Sequence, residues 1–249
     1  MKTTQNFIQN LKEFLKSKNK PQDFSNIFLG GGRHDRRRFN EMEILKLTRK
    51  NRKSSVKIIA RLIKEGKIVV CPTDTVYGLL CDATSKKAID RLFKIKKREK
   101  GKFFPIFVKD LKTAKALANI ESRQEKILKK FWPGKLTAVL KRNRKLKIYG
   151  LDKKTIALRI PKHKLIKELL VKSNLSLTGT SGNISGQPTS TKIKDIIRQF
   201  KNQKFQPDLI IDAGNLPKSL PSTIIDLTGR EIKTLRKGAV KFKLKNLKT

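Results

Sequence analysis

The sequence predicts an α/β protein in which amphipathic helices alternate with short buried strands. Residues 67–71 form a β-branched apolar run that ends at Pro72. Because proline cannot donate to a sheet ladder, we expect a buried strand to end there. Two stretches whose apolar residues recur at helical spacing, 56–64 and 86–97, flank this strand. The same alternation continues to residue 235, as is typical of this class.

The elements can be assigned in chain order from these periodicities. We predict helices at residues 56–64, 86–97, 111–117, 124–131, 165–171 and 192–200, and strands at 67–71, 103–108, 136–140, 155–160, 175–178, 208–213, 222–227 and 231–235. Gly66 follows the first helix, where glycine commonly ends a helix. The organisation expected is a basic N-terminal extension (1–54), a catalytic domain (55–240) and a basic tail (241–249).

The extension differs in composition from the rest of the chain. Apolar residues at helical spacing predict a short amphipathic helix at residues 7–15. Three glycines at 30–32 then precede an arginine cluster, but without a preceding strand and a following Lys-Ser/Thr they form no P-loop. This stretch is either a solvated linker or a basic arm that touches RNA. We assign no role to His34.

Composition limits the classes of function. The 249 residues carry 61 Lys and Arg against 20 Asp and Glu, a formal net charge of +41. Such a charge favours phosphate-bearing partners, although a lysine-rich composition across a whole proteome would produce it too. No run approaches the ~20 apolar residues of a membrane span, and the N-terminus lacks a signal-peptide core, so we expect a cytoplasmic protein. Cys71 and Cys81 indicate structural thiols in a reduced compartment, with no metal site formed by protein side chains.

Polar residues cluster where predicted elements end. Thr73, Asp74, Thr75, Tyr77 and Gly78 follow the first strand, in the position where open α/β sheets bind ligands, although a simple polar turn would look similar. Lys96, Lys97 and Arg98 end the second helix and could hold phosphate or form a solvated basic face.

Two further features point to bound ligands. Arg159 lies inside an apolar strand and needs a partner or a ligand. The Gly- and hydroxyl-rich stretch 179–189 precedes a helix, and its backbone amides and hydroxyls predict an anion site that needs no lysine.

Seven blocks of sequence together resemble the YrdC/Sua5 family in order and spacing. They are Thr73-Asp-Thr-Val-Tyr-Gly78, Lys96-Lys-Arg98, Trp132-Pro-Gly-Lys-Leu-Thr137, Ala157-Leu-Arg-Ile-Pro-Lys-His163, Thr180-Ser-Gly-Asn-Ile-Ser-Gly186, Ser222-Thr-Ile224 and Leu235-Arg-Lys-Gly238. The resemblance spans residues 56–240 and implies a twisted mixed sheet flanked by helices, with a basic concave face. The form of the family that this chain resembles is the short, single-domain form.

Members of this family are threonylcarbamoyl-AMP synthases, a class of nucleotidyltransferase. The resemblance therefore implies that L-threonine, bicarbonate and ATP with Mg²⁺ are joined into threonylcarbamoyl-adenylate with release of pyrophosphate. The product serves the t6A modification of adenosine 37 in tRNAs that read ANN codons. It also implies a threonylcarbamoyl transferase partner, and the basic face could bind tRNA or other RNA directly.

The resemblance also implies roles for particular residues. The threonine site would comprise Thr75, Arg159, Gly179 and Ser222, with the Arg159 guanidinium on the amino-acid carboxylate. The ATP site would comprise Lys96, Arg98, Lys102, Thr155, Ser181, Asn183, Thr189 and Arg236, of which Lys96 and Arg98 would be catalytic through electrostatics. No covalent nucleophile is expected, so catalysis would rely on positioning.

This chain departs from the family pattern at two positions. Gly182, within the fifth block, stands where the family usually has alanine. Phe103, a few residues after the second block, stands where the family usually has proline, and Pro105 follows two positions on.

Two other classes of function were weighed. A non-catalytic RNA-binding factor would suit the charge, but shape recognition of RNA does not require this ordered set of residues. Carbamoyl-adenylate chemistry in hydrogenase maturation uses a related domain, but that larger protein carries zinc-finger cysteines, which two cysteines cannot supply.

Overall fold

The computed structural model describes residues 42–99, 101–143 and 148–242, and it confirms the predicted α/β class. In chain order the elements are β1 (Glu43–Lys46), α1 (Arg52–Lys64), β2 (Val69–Cys71), β3 (Gly78–Leu80), α2 (Lys86–Lys96), β4 (Ile106–Phe107), α3 (Leu111–Leu117), β5 (Ala118–Asn119), α4 (Ser122–Phe131), β6 (Leu136–Arg142), β7 (Thr155–Arg159), α5 (Lys164–Ser173), β8 (Leu177–Thr178), β9 (Thr180–Ser181), α6 (Ile193–Phe200), β10 (Leu209–Asp212), β11 (Thr223–Asp226) and β12 (Lys233–Arg236). Each of the six predicted helices is present. The helix predicted at 7–15, the glycines and arginines near 30–38, and most of the tail lie outside the described residues.

The strands are mixed, as the family resemblance implied, but they form two sheets and not one. The first has the order β1-β10-β2-β3-β9, in which β1, β10 and β2 are parallel and β3 is antiparallel to both neighbours. The second has the order β12-β11-β6-β7-β4-β8, in which β11 runs parallel to β6 and β7 runs antiparallel to it. Each sheet has its own buried apolar cluster.

The start of the described chain is more ordered than the sequence indicated. Strand β1 pairs in parallel with β10, and α1 begins at Arg52, whose Nε donates to Glu168 Oε2 at 3.0 Å. Both features fall within the segment assigned to the extension, and the boundary expected near residue 54 lies inside α1. Periodicity missed β1 because only Leu45 of its four residues is buried.

The topology brings polar strand ends to one place. Because β6 and β11 are parallel, Thr137 and Ser222 lie at the same end of the second sheet. Because β7 is antiparallel to β6, Arg159 at its carboxyl end reaches that same edge. The turn after β2 supplies Asp74 and Thr75 from the first sheet. Among the described residues, no helix is both long and apolar enough to cross a membrane.

Candidate active site

Arg159 is held at this edge by a buried ion pair. Its Nη2 donates to Asp74 Oδ1 at 2.7 Å, and the two side chains are only 3% and 7% exposed. Its Nε donates to the Gly134 carbonyl at 2.9 Å, and its Nη1 donates to Thr75 Oγ1 at 3.3 Å. The sequence prediction that this arginine needs a partner is confirmed. Of its five N–H groups, one on each Nη has no partner among the described residues, so two can still bind a ligand.

Asp74 fixes the orientation of that guanidinium. Its second oxygen, Oδ2, accepts from the Lys162 backbone N–H at 3.1 Å, so both carboxylate oxygens are engaged. The guanidinium carbon also lies 5.5 Å from the centre of the Phe107 ring. The plane of Arg159 is therefore held by contacts from three separate chain segments.

Thr73 and Thr75 form a directed pair of hydroxyls beside Arg159. Thr73 Oγ1 donates its only proton to the Val76 carbonyl at 2.6 Å. In the 3.1 Å contact between the two hydroxyls, Thr75 must therefore be the donor. Thr75 Oγ1 consequently has acceptor capacity left, which suits a ligand N–H such as an ammonium.

Thr137, Ser222 and Arg236 form a second group at the same edge. Thr137 Oγ1 and Ser222 Oγ are 2.8 Å apart. Arg236 Nη2 donates to Ser222 Oγ at 3.1 Å, and its Nε and Nη2 both donate to the Ser222 carbonyl. Nη1 of Arg236 has no partner among the described residues, so it is available for an anion.

Gly179 lies where a side chain would not fit. A Cβ built on it would lie 2.2 Å from the Phe107 ring, which is itself buried. Its backbone N–H donates to the Pro105 carbonyl at 2.7 Å. Glycine is thus required here because the backbone passes directly against the ring beneath Arg159.

The sequence suggested that Lys96 and Arg98 turn towards one ligand together, but the two side chains have different hydrogen-bond partners. Lys96 is 1% exposed, and its Nζ donates to the carbonyls of Ser181 and Asn183 at 2.6 and 2.7 Å and to Asn183 Oδ1 at 3.3 Å. Burial, helped by the charge of Arg98, lowers the pKa of this ammonium to about 7. All three N–H groups of the ammonium are therefore used within the protein.

Arg98 turns away from Lys96 because Lys97 adopts a left-handed conformation with φ 48°. Its Nε donates to the Lys102 carbonyl at 2.6 Å and its Nη2 to the Phe103 carbonyl at 3.0 Å. Three of its N–H groups lack partners among the described residues. Lys102, also predicted for ATP, is on the surface, where its Nζ pairs with Glu99 at 2.8 Å.

The four backbone amides at 182–185 are used within the protein. The N–H groups of Gly182, Asn183, Ile184 and Ser185 donate to Tyr77 O, Ser181 O, Gln199 Oε1 and Lys96 O respectively. The anion site expected at 179–189 stays a prediction, which would depend on the hydroxyls and the remaining amides of this stretch. Ser185 Oγ is buried without a partner and remains a candidate ligand group.

Two predicted ATP residues are not drawn into these contacts. Thr155 begins β7, about 13 Å along the strand from Arg159, and its hydroxyl bonds Asp152 Oδ1 at 3.2 Å. Thr189 is exposed in the loop before α6. Between Thr155 and Arg159, Ala157 pairs with Val139 on the neighbouring strand. Both side chains are small, apolar and half-buried, so they form an apolar strip on the face of the sheet.

The arginines share one electrostatic environment. Partial burial lowers the pKa of Arg236, and repulsion by Arg159 and then by Arg98 lowers it further. Burial lowers the pKa of Arg159, which Asp74 opposes. In the described part of the chain, Asp74 is the only carboxylate that forms an ion pair with any of the three. An arrangement of mutually repelling guanidiniums with unused donors is suited to a polyanion.

Two other kinds of site can be compared with this one, a separate cavity and a metal cluster. A cavity of about 410 Å³ between the start of α4 and the β11–β12 turn is lined by Gln124, Lys141 and Arg230, none of them predicted. Within residues 42–99, 101–143 and 148–242, no group of three or more His, Cys, Asp or Glu could hold a metal ion.

The sequence gives no role to three residues of the site. Thr73 and Asp74 stand out only as part of the turn after β2, and Thr137 only as part of a sequence block. The signal for all three is position, since each lies where a strand meets the shared edge. The partners of Asp74 and Thr137 are Arg159 and Ser222, which are 85 residues away in each case, so only the fold shows the contacts.

Comparison with known proteins shows which family this chain resembles. The family model Sua5_yciO_yrdC, described as telomere recombination, matches residues 61–238. A relative from Methanocaldococcus jannaschii is 34% identical over 199 residues, which cover 80% of this chain and 93% of the relative. The threonylcarbamoyl-AMP synthase of Pyrococcus abyssi is 34% identical over 189 residues, 74% of this chain and 54% of the synthase. This chain thus spans about half of that synthase.

Solved structures show the same similarity. Sua5 of P. abyssi complexed with L-threonine matches with a TM-score of 0.70 and 32% identity, over 80% of this chain and 57% of that one. YciO of Escherichia coli matches with a TM-score of 0.70 over 80% of this chain and 96% of that one, and at 24% identity this likeness concerns the fold alone. Because the family model covers more than half of the residues and the fold agrees, this chain belongs to the Sua5/YciO/YrdC family.

Proposed function

We propose that this protein is an L-threonylcarbamoyladenylate synthase. It would join L-threonine, bicarbonate and ATP into threonylcarbamoyl-AMP, with release of pyrophosphate and water. The observation that carries the proposal is that Arg159 and Arg236, each with unused N–H groups, donate to the hydroxyls of Thr75 and Ser222 at one edge of the second sheet. The charge of Arg98 also acts on Arg236, whose pKa it helps to lower. The name shared by the P. abyssi and Bacillus subtilis relatives supports the same reaction.

Threonine binds, in this proposal, on what we call the threonine side: Thr73, Asp74, Thr75, Thr137, Arg159, Gly179 and Ser222. The two unused N–H groups of Arg159 receive the amino-acid carboxylate. Thr75 Oγ1 accepts from the ammonium or the amine, which must lose a proton before its nitrogen reacts. The hydroxyls of Thr137 and Ser222 lie close enough together to bind the substrate's own hydroxyl.

ATP binds on the phosphate side, which comprises Lys96, Arg98, Lys102, Arg236 and the loop 181–189. The open donors of Arg98 and Arg236 neutralise phosphate oxygens, while the hydroxyls of Ser181, Ser185 and Thr189 are further candidate contacts. The Val139–Ala157 strip leads from this edge towards Thr155, about 13 Å away, and could support the nucleoside. Mg²⁺ would arrive on the triphosphate, where it supplies charge neutralisation, since the described residues offer no carboxylate cluster to hold it.

The chemistry follows from placing two substrates side by side. The threonine nitrogen forms a carbamate with the carbon of bicarbonate, and a carbamate oxygen then attacks the α-phosphorus of ATP as pyrophosphate leaves. The negative charge that develops on the phosphate oxygens faces Arg98 and Arg236. Catalysis therefore rests on positioning and electrostatic stabilisation, with no covalent intermediate on the protein.

The proposal also includes a role in tRNA modification. The adenylate would supply t6A synthesis at adenosine 37 of tRNAs that read ANN codons, through a partner threonylcarbamoyl transferase in the cytoplasm. With a formal charge of +41, the protein would also attract tRNA or other RNA to its basic face.

The direct test is an assay of adenylate synthesis. The protein is incubated with ATP, Mg²⁺, bicarbonate and labelled L-threonine, and pyrophosphate and labelled adenylate are measured. We expect both products in equal amounts, and neither when bicarbonate is removed. RNA binding by a folded protein that forms no adenylate would instead favour the non-catalytic alternative.

A further inference from the structure

Lys96 is joined to the loop after β9 at both ends of the residue. Its side-chain ammonium donates to Ser181 O, Asn183 O and Asn183 Oδ1, while its own carbonyl accepts from the Ser185 N–H at 2.8 Å. The last turn of α2 and residues 181–185 are therefore connected by four hydrogen bonds through one residue.

The Asn183 side chain distributes this connection through the loop. Its Oδ1 also accepts from Ser181 Oγ at 2.6 Å, so the amide oxygen faces Lys96. Its Nδ2 then donates to the Ile184 and Gln187 carbonyls at 3.1 and 2.6 Å. With Lys96 removed, the carbonyls of Ser181 and Asn183 would lose a donor at a partly buried and a buried position, and unsatisfied groups there destabilise the loop.

Arg98 has the opposite character. Its donors reach the surface carbonyls of Lys102 and Phe103, and three N–H groups remain open. The left-handed Lys97 between them sends the two side chains in different directions. The two cations of this short segment are therefore placed for different tasks.

We propose that Lys96 is a positioning residue that acts through the loop 181–185, and that Arg98 alone of the two touches the phosphates. The part of this inference that concerns catalysis rests on the proposed function. The structural connection between Lys96 and the loop does not depend on it. Lys96 places the hydroxyls of Ser181 and Ser185, and it puts a buried positive charge beneath them. This differs from the sequence expectation that both cations bind nucleotide directly.

The first test needs no activity. Hydrogen exchange of the amides at 182–187 is compared between the wild-type protein, Lys96→Met and the matched exposed variant Lys97→Met. We expect exchange in this loop to be at least about 10-fold faster in Lys96→Met and unchanged in Lys97→Met, with β7 and α4 unaffected. Unchanged loop exchange in Lys96→Met would overturn the proposal.

A second variant covers the case in which Lys96→Met does not fold. Asn183→Ala keeps the lysine but removes the acceptor Oδ1, so it should also speed exchange across the same amides. If exchange in that variant stays at the wild-type rate, the loop does not depend on this connection and the proposal fails.

The catalytic part is tested by a double-mutant cycle in kcat/KM for ATP. Because Lys96 would act through Asn183, the double variant Lys96→Met/Asn183→Ala should lose no more than about 2-fold beyond the worse single variant. Losses in Lys96→Met/Arg98→Ala should instead multiply. If the losses in kcat/KM caused by Lys96→Met and by Asn183→Ala multiply fully in their double variant, the proposal is contradicted. Absence of adenylate from the wild-type protein would reject the proposed function and leave the exchange result standing.

Discussion

The threonine side and the phosphate side differ in how far the protein itself satisfies their charges. On the threonine side, Arg159 is 3% exposed and pairs with a carboxylate that is itself held by a backbone N–H. On the phosphate side, Arg98 and Arg236 donate hydrogen bonds only to carbonyl and hydroxyl oxygens of the described residues, and both keep unused donors. The first arrangement suits a small zwitterion that needs a fixed orientation. The second leaves positive charge to be neutralised by a triphosphate.

This difference predicts that the threonine side contributes mainly to stability and the phosphate side mainly to catalysis. A buried pair is costly to break because the remaining partner keeps its desolvation penalty. A surface arginine without a carboxylate partner contributes little to folding, and its charge is available for a ligand. Substitutions on the two sides should therefore have opposite signatures.

The largest effect is expected from Asp74→Ala. It leaves the Arg159 guanidinium buried without its carboxylate, so the free energy of unfolding should fall by about 3–5 kcal/mol. Asp90→Ala, which breaks the exposed Lys86 pair, is the matched control and should change it by less than about 1 kcal/mol. Urea unfolding followed by circular dichroism measures both, and equal losses would show that the buried pair has no special weight.

Arg159→Ala tests substrate selection on the threonine side. The loss of the carboxylate contact should weaken threonine binding by about 2–5 kcal/mol while ATP binding stays nearly unchanged. Isothermal titration with each substrate separates the two. Asp74 is left buried in this variant, so its fold must be checked by circular dichroism, and parallel loss of both ligands would contradict the assignment.

Arg98→Ala should show the opposite signature. We expect kcat and kcat/KM for ATP to fall together by about 10²-fold, because charge stabilisation in the transition state is lost, while stability is hardly affected. Arg98→Lys should recover part of the rate, since an ammonium lacks the planar pair of donors. Lys87→Ala, an exposed change on α2, the helix that precedes Arg98, is the control. A raised KM at constant kcat would mean that Arg98 only binds nucleotide.

Gly179→Ala tests the close approach beneath Arg159. A Cβ would lie 2.2 Å from the Phe107 ring, and the resulting overpacking should cost about 1–3 kcal/mol of stability and weaken threonine binding. Gly229→Ala is the control, because its nearest neighbour would be 3.9 Å away. Thermal unfolding of both variants gives the comparison, and similar melting temperatures would show that the ring can move aside.

The smallest effect is expected from pH. The pKa of Lys96 is lowered to about 7, so the ammonium has three N–H groups below that pH, and the amine has two above it. As pH rises from 6 to 8, ATP affinity should therefore fall several-fold as the loop loses a bond and a positive charge. Lys96→Met should lack this decline and retain only the titration of the nucleotide itself. Identical pH profiles would show that Lys96 does not titrate in this range.

The sequence predicted the helices better than the strands. All six helices follow from apolar residues at helical spacing, a local property that tertiary contacts did not overturn. The sequence predicts polar loops where strands β3 and β9 lie, because the segments around Gly78 and Ser181 show no alternation of apolar and polar residues. They pair with each other at the register Gly78 with Ser181, across a long separation in sequence. Such short pairings depend on long-range contacts and leave little local signal.

By itself, the sequence determined the α/β class, the family and the residue types that gather at the site. Arg159 within an apolar strand required a partner, and the hydroxyls after β2 indicated a ligand site. Only the tertiary structure decided that the partner is Asp74, that Lys96 points inwards to Asn183, and that the loop amides are already used. Side-chain direction and hydrogen-bond saturation depend on which distant segments share a strand edge. Contacts 85 and 87 residues apart, as for Asp74 with Arg159 and Lys96 with Asn183, exist only once the sheets have formed.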